Sequence, residues 1–337
     1  MTSVPYGKVL AGNDEAVRRA YDAFLVQRVD SVMYSDQSEP EDDIEKTISR
    51  PVSVTGPGTF FRRADRTLLF EPTAEKGWWF ERIDLPNDLP TQVSVRNVWT
   101  TAHNIVLRSG SPHNYMRMVE HIIALKLGMG IDNLLIKVNS GDPPLFDRGS
   151  LDLVEALESA GIEKQIGKIN YVTVKEPVTI AGENGGFLTF APHAGRKKLM
   201  IDCAIDFKDA IGKQRVQFDL AKKLFRDKAM ARTNTTTAMK LYCMTVGQLF
   251  ADIRNMGYTN NNILIAGKKS YLNEPRLMYE GKSLEAVWHR AIMDLLAAVA
   301  LIDCGRFVGK ITSYKSGHAL DMDMIRLLYK HNLLAVV

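Results

Sequence analysis

At 337 residues, with 45% hydrophobic and 24% charged side chains, the chain is long enough for two domains with separate cores and has the balance of a soluble globular protein. Its formal net charge of +4 is small for this length, so nucleic acid is not an expected partner, although an anionic substrate would not be repelled. Three cysteines, Cys203, Cys243 and Cys304, have no CxxC spacing, which argues against a disulfide framework or thiolate metal site and for reduced, mostly buried thiols.

In chain order, "NDEAVRRAYDAFLVQR" (13–28) reads as an amphipathic helix capped by Asn13, with Val17, Tyr21 and Phe24 on one face. The acidic, proline-containing "SDQSEPEDDIEK" (35–46) reads as a linker, so residues 1–44 are expected to be an appendage. From Ile48 the pattern turns β-rich. Two strands are expected around the Gly-Pro-Gly of "ISRPVSVTGPGTFFRRADRTLLFEP", then strands in "GWWFERIDL" and "TQVSVRNVWTTAHNIVL". A helix follows in "MRMVEHIIALKLGMG", then the strand "NLLIKV". The second half repeats the plan. Strands in "YVTVKEPVTI", "GFLTFAP" and "KLMIDCAIDF" precede a helix, "TAMKLYCMTVGQLFADIRNMG", and a strand, "NNILIAG". The echoes "LLFEP"/"LTFAP" and "MGIDNLLIKV"/"MGYTNNNILIA" support a duplication. The expected fold is therefore α+β, a two-domain α/β sandwich of duplicated sheet-plus-helices units with helix layer packed on helix layer. Its domains would be 45–165 and 166–337.

No segment approaches the ~18 apolar residues of a membrane-spanning helix. The longest, "LLAAVALI" (295–302), reads as a buried helix, and residues 1–30 lack the apolar core of a signal peptide. A cytoplasmic location is expected, with peripheral membrane contact left open. Trp78 and Trp79 read as sheet packing, and "GRKK" (195–198) as a solvated turn.

Three polar groupings stand out against apolar surroundings: Glu120 beside His121, Asp294 within an apolar helix, and His318 in "YKSGHALD". Singly, each has a bland reading. A histidine at a helix start is commonly a core or capped residue, and Arg290 lies at i−4 to pair with Asp294. Together they resemble a known family. "MVEHIIALKLGMGIDNLLIKVNSGDPPLFDRGS" is similar to the central passage of the UDP-3-O-acyl-N-acetylglucosamine deacetylases, the zinc amidohydrolases of lipid A synthesis, and "KSGHAL" matches another of their motifs. "ARTNT" (231–235) and "VTVKEPVTI" resemble two further segments in the same order, and the likeness covers roughly residues 45–335.

That resemblance implies a zinc ion, an acylated or unacylated nucleotide-sugar substrate, and a role for each matching residue. Glu120 would be the general base, His121 and Asp294 zinc ligands, and His318 the acid that also steadies the oxyanion. Thr233 would donate a hydrogen bond to that oxyanion. Lys175 would contact the substrate head group, and Asp147 would support the site, although Arg148 splits the family's D-G-S pattern.

The pattern breaks at "VWHRAIMDLL" (287–296). The family's third ligand is a histidine four residues before the aspartate, where this chain has Arg290, a side chain that stays protonated. His289 is five residues away, which on a regular helix leaves it ~140° from Asp294. Three readings stay open. A π-bulge restores the His289–Asp294 pair, with Arg290 replacing a family lysine at the substrate; His103 supplies the missing ligand; or the metal site is lost and Arg290 pairs with Asp294. Other departures fall nearby: Ala298 stands where the family has an acid beside its catalytic histidine, Phe60 replaces a histidine, and Asn234 an aromatic residue. Two functions follow, a zinc-dependent N-deacetylase acting on a UDP-sugar or another N-acylated sugar, or a non-catalytic homologue that binds a nucleotide sugar or lipid precursor or has a regulatory role. The oligomeric state is not readable.

Overall fold

The computed structural model describes residues 5–35, 43–60, 64–102, 104–195, 197–236 and 257–337. The fold is α+β. In the first half, a five-stranded sheet runs in the order Val52–Pro57, Asp65–Glu71, Leu134–Val138, Trp78–Arg82, Thr91–Gln92. Strand alternation sends Leu68, Phe70, Trp78, Phe80, Leu134 and Ile136 to one face, where each is nearly or fully buried. The helices Glu120–Gly128 and Leu151–Ala160 belong to this half, the second against the Val52–Pro57 strand.

The second half carries a seven-stranded sheet: Lys8–Ala11, Val178–Ala181, Phe187–Ala191, Gly309–Tyr314, Leu199–Asp206, Lys213–Asp219, Ser31–Met33. Its helices include Glu285–His289, Leu296–Ala300 and His318–Lys330. Helix layer meets helix layer where Glu120–Gly128 packs on Leu296–Ala300, and one apolar core runs through both halves. At that interface the Glu120–Gly128 helix has no polar stripe: Ile122, Ile123, Ala124 and Leu125 are all buried. It ends on Gly128, where a Cβ would lie 2.3 Å from the Phe225 ring, so only glycine permits this approach.

Several expectations are redrawn. The N-terminal helix spans Asp14–Leu25, with Asn13 Oδ1 accepting from Ala16 N at 2.7 Å. It does not hang beside the fold. The strands flanking it form both edges of the seven-stranded sheet, and Phe24 packs edge-on against Phe187 at 5.5 Å. Arg215 holds the helix from below, donating to Phe24 O and Gln27 O while paired with Asp202 at 2.8 Å. The acidic linker ends by Ile44, because Ile44–Ile48 is a strand paired with Ile162–Lys168. "YVTVKEPVTI" divides between two sheets, Tyr171–Val174 pairing with Leu334–Val336 instead of joining the large sheet. The helix expected over 237–257 and Cys243 fall outside the described residues. Cys203 is buried, which pushes its thiol up to about 12, but Cys304 is exposed. Trp78 is buried and donates to Ile131 O at 2.8 Å. Among the described residues, no helix is long and apolar enough to cross a membrane.

Candidate active site

Glu120 and His121 open the central helix, two residues after Met118, whose φ of 48° turns the chain toward it. The turn directs the Glu120 carboxylate at the backbone of Ile105: Oε1 accepts the Ile105 N–H, while Oε2 is buried with no partner among the described residues. His289 ends the helix Glu285–His289, and Arg290–Leu295 continues it as a π-helical turn before Leu296–Ala300 resumes α-geometry. A π turn bonds residue i to i+5, so side chains five apart stack on one face. The inserted residue therefore does not separate His289 from Asp294: His289 Nδ1 lies 3.6 Å from Asp294 Oδ1.

The two halves converge on Thr233, the first residue of the strand Thr233–Thr236. Its Oγ1 is 3.0 Å from His289 Nε2 and 3.3 Å from His121 Nε2, and these two nitrogens are 3.5 Å apart. On the other side, His318 opens the helix His318–Lys330 and sets Nε2 3.7 Å from both Glu120 Oε1 and Asp294 Oδ1. Glu120, His121, Thr233, His289, Asp294 and His318 thus form one cluster although they are scattered through the chain.

Burial and mutual charge tune these groups. Desolvation and the neighbouring His289 depress His121 to about 3, and desolvation lowers His289 too, so both imidazoles are neutral at physiological pH. Burial pushes Glu120 above the usual carboxylate range. Burial acts upward on Asp294 as well, but His289, His318 and Arg290 outweigh it and keep this carboxyl below its ordinary value. Burial acts downward on His318, and the carboxylates of Asp294, Glu120 and Asp321 outweigh it, leaving this imidazole raised.

A buried clamp fixes the Thr233 strand to the His289 helix. Arg232 donates through Nε at 2.6 Å and Nη2 at 3.0 Å to Glu285, which also accepts the backbone N–H groups of Arg232 and Arg276. Ser150 adds support from the first half: its hydroxyl donates to His121 O at 3.0 Å and lies 3.4 Å from Nδ1.

Other expected site residues lie elsewhere. Lys175 is exposed and donates to Asn332 O at 2.7 Å, beyond the far end of the His318–Lys330 helix. At 1.5 Å per residue that is about 20 Å from His318, so the fold does not deliver this lysine to the cavity. Asp147 is exposed and accepts from Thr259 and Asn261 at 3.4 and 3.3 Å; of the split D-R-G-S motif, it is Ser150 that reaches His121. Arg290 does not pair with Asp294. It turns to Ser316, donating at 2.7 Å to Oγ, and to Asp321 at 2.5 Å. His103 lies outside the described residues. Sequence reading missed Ser150, Asp321, Ser316 and the Arg232–Glu285 pair. All but Glu285 had a signal, as polar residues of motifs already singled out: Ser150 in D-R-G-S, Ser316 and Asp321 in "YKSGHALD", and Arg232 in "ARTNT".

Deleting Ala291 tests the register directly. The π turn should relax to α-helix with His289 and Asp294 at i,i+4, still on one face. The variant is expected to fold and to keep any activity within about 100-fold, since outer positions of a site alter activity by about 10–100-fold. A crystal structure of the variant in which these two side chains point to different sides of the helix would contradict this account of the register.

Residues 45–330 match the family described as UDP-3-O-acyl N-acetylglycosamine deacetylase. Relatives include the UDP-3-O-acyl-N-acetylglucosamine deacetylases of Brucella ovis and Brucella canis, each 28% identical over 287 residues, or 84% of this chain and 94% of the relative. The corresponding protein of Brucella melitensis biotype 2 is similar to the same degree, 28% over 287 residues.

Proposed function

The chain belongs to the UDP-3-O-acyl N-acetylglycosamine deacetylase family, and on that premise we propose that it hydrolyses the N-acetyl group of an acylated UDP-sugar in a zinc-dependent reaction. The observation that carries this reading is the π turn, which sets His289 against Asp294 and, through Thr233, beside His121.

The donor set suits zinc. Among the described residues, no three His, Cys, Asp or Glu side chains are already gathered for a metal ion. Yet the 3.5 Å between His121 Nε2 and His289 Nε2 is close to the ~3.4 Å edge spanned by two nitrogens held ~2.0–2.1 Å from one tetrahedral centre. Both imidazoles are neutral, as ligands must be, and Asp294 is held ionised. His121, His289 and Asp294 would hold the ion, which when bound supplies Lewis acidity and a water of lowered pKa.

The chain's own groups do the rest. Glu120, whose Oε2 has no partner among the described residues, takes the proton from water as the water oxygen bonds to the acetyl carbon. Thr233 Oγ1, between the two imidazoles, donates to the carbonyl oxygen as it gains charge. His318, its imidazole raised by the surrounding carboxylates, gives a proton to the sugar nitrogen as the C–N bond breaks, releasing acetate and the free amine.

Incubating the purified full chain with a UDP-3-O-acyl-N-acetylglucosamine should release acetate, and metal analysis should find about one zinc per chain, the single-ion complement of such a site. Zinc should be lost in His121→Ala. Metal-free protein that binds the nucleotide sugar without releasing acetate would instead make the chain a non-catalytic homologue.

A further inference from the structure

Four buried polar atoms around the cavity have no hydrogen-bond partner among the described residues: Glu120 Oε2, His318 Nδ1, Arg290 Nη1 and Asp321 Oδ2. Glu120 Oε2 has its role above. The others belong to a second layer beneath His318. Asp321 is fully buried, and it follows His318 by one helical turn, so both side chains lie on one face of the same helix, ~60° apart.

The sequence places nothing acidic at Ala298, which is buried and cannot orient an imidazole. Asp321 is nevertheless an acid held in place one helical turn from His318. Arg290 Nη2 grips its Oδ1 at 2.5 Å and Ser316 Oγ at 2.7 Å, while Arg290 Nε donates to Ser316 O at 3.1 Å. Ser316 Oγ is in turn 2.7 Å from Ser313 Oγ on the sheet. This lattice commits one carboxylate oxygen and leaves the other available, one turn from an uncommitted ring nitrogen of opposite hydrogen-bonding character.

We propose that Asp321, anchored by Arg290, is the positioning carboxylate of His318. Its Oδ2 accepts the His318 Nδ1–H after a rotation of the imidazole. That bond fixes the tautomer and holds Nε2 toward the site, 3.7 Å from Glu120 Oε1 and from Asp294 Oδ1. Arg290, an insertion-related residue that first suggests a failed metal ligand or a substrate contact, becomes the anchor of the carboxylate that orients the acid. The inference rests on the deacetylase reading for its kinetic consequence, but not for the bond itself.

The test therefore has two arms. Imidazole 15N–1H spectra of the full chain should contain one Nδ1–H signal that disappears in His318→Gln and is lost or strongly shifted in Asp321→Asn. In acetate release, Asp321→Asn should lower kcat about 10- to 100-fold with KM nearly unchanged, and Asp321→Glu should recover part of the loss. Because Asp321→Asn leaves Arg290 buried without its partner, the double variant Arg290→Met/Asp321→Asn removes both charges and should show the same spectral change in a folded protein. An unchanged Nδ1–H signal in both variants, or a loss confined to KM, overturns the proposal. A wild-type chain that keeps the signal but releases no acetate overturns the deacetylase reading alone.

Discussion

Glu120→Gln is expected to lower kcat by about 10²- to 10⁴-fold, the range for a single general base, while leaving zinc content and KM near wild type. Glutamine has the same shape, and its side-chain oxygen can still accept the Ile105 N–H. What it lacks is the charge at Oε2, the atom left free to take a proton. Burial already disfavours that charge, so the neutral amide should fold at least as well as the wild type, and a thermal melt should show no loss. A folded, zinc-loaded variant with a rate within about fivefold of wild type, well short of the range for a general base, would remove Glu120 from the chemistry.

The second large effect concerns stability. Glu285→Ala should cost about 3–5 kcal/mol, the usual penalty for removing one partner of a buried ion pair. Glu285 is fully buried and Arg232 3% exposed, so the alanine variant strands a guanidinium and frees the Arg276 N–H as well. Urea unfolding should show a lower midpoint with an unchanged slope. Since Arg232 precedes Thr233 and Glu285 begins the His289 helix, zinc affinity should fall with stability. Replacing both partners, Arg232→Met with Glu285→Leu, should restore most of the loss, because apolar side chains of similar volume leave no charge unpaired. If the double variant is as unstable as the single one, the cost lies in packing and the clamp is not electrostatic.

The sequence by itself determined the α+β class and the first-half strands, and it drew the eye to Glu120, His121 and His318, because each signal is local; Thr233 entered only through the family resemblance. Alternating apolar residues mark a strand, and a charged pair at the start of an otherwise apolar helix stands out without reference to anything distant. The geometry at Asp294 was legible only as a choice among three readings. Whether a helix with one extra residue bulges depends on what its flanks pack against, and both flanks here, from Ala286 to Val287 and from Leu296 to Ala300, are locked in the core between the two sheets.

Tertiary structure alone decided the remaining questions. Lys175 matched a motif yet sits at the wrong end of a helix, because a strand's address depends on which sheet it joins, and Tyr171–Val174 joins a small sheet with the C-terminus. The N-terminal segment became both edges of the large sheet because Lys8–Ala11 and Ser31–Met33 pair with strands far along the chain, at Val178 and Val216. In a linear reading Arg290 is a partner for Asp294 or a substrate contact, and Asp321 is only a polar residue near the end of a motif. Only folding buries them together, in a medium where each needs the other, and that burial gives them a bearing on His318.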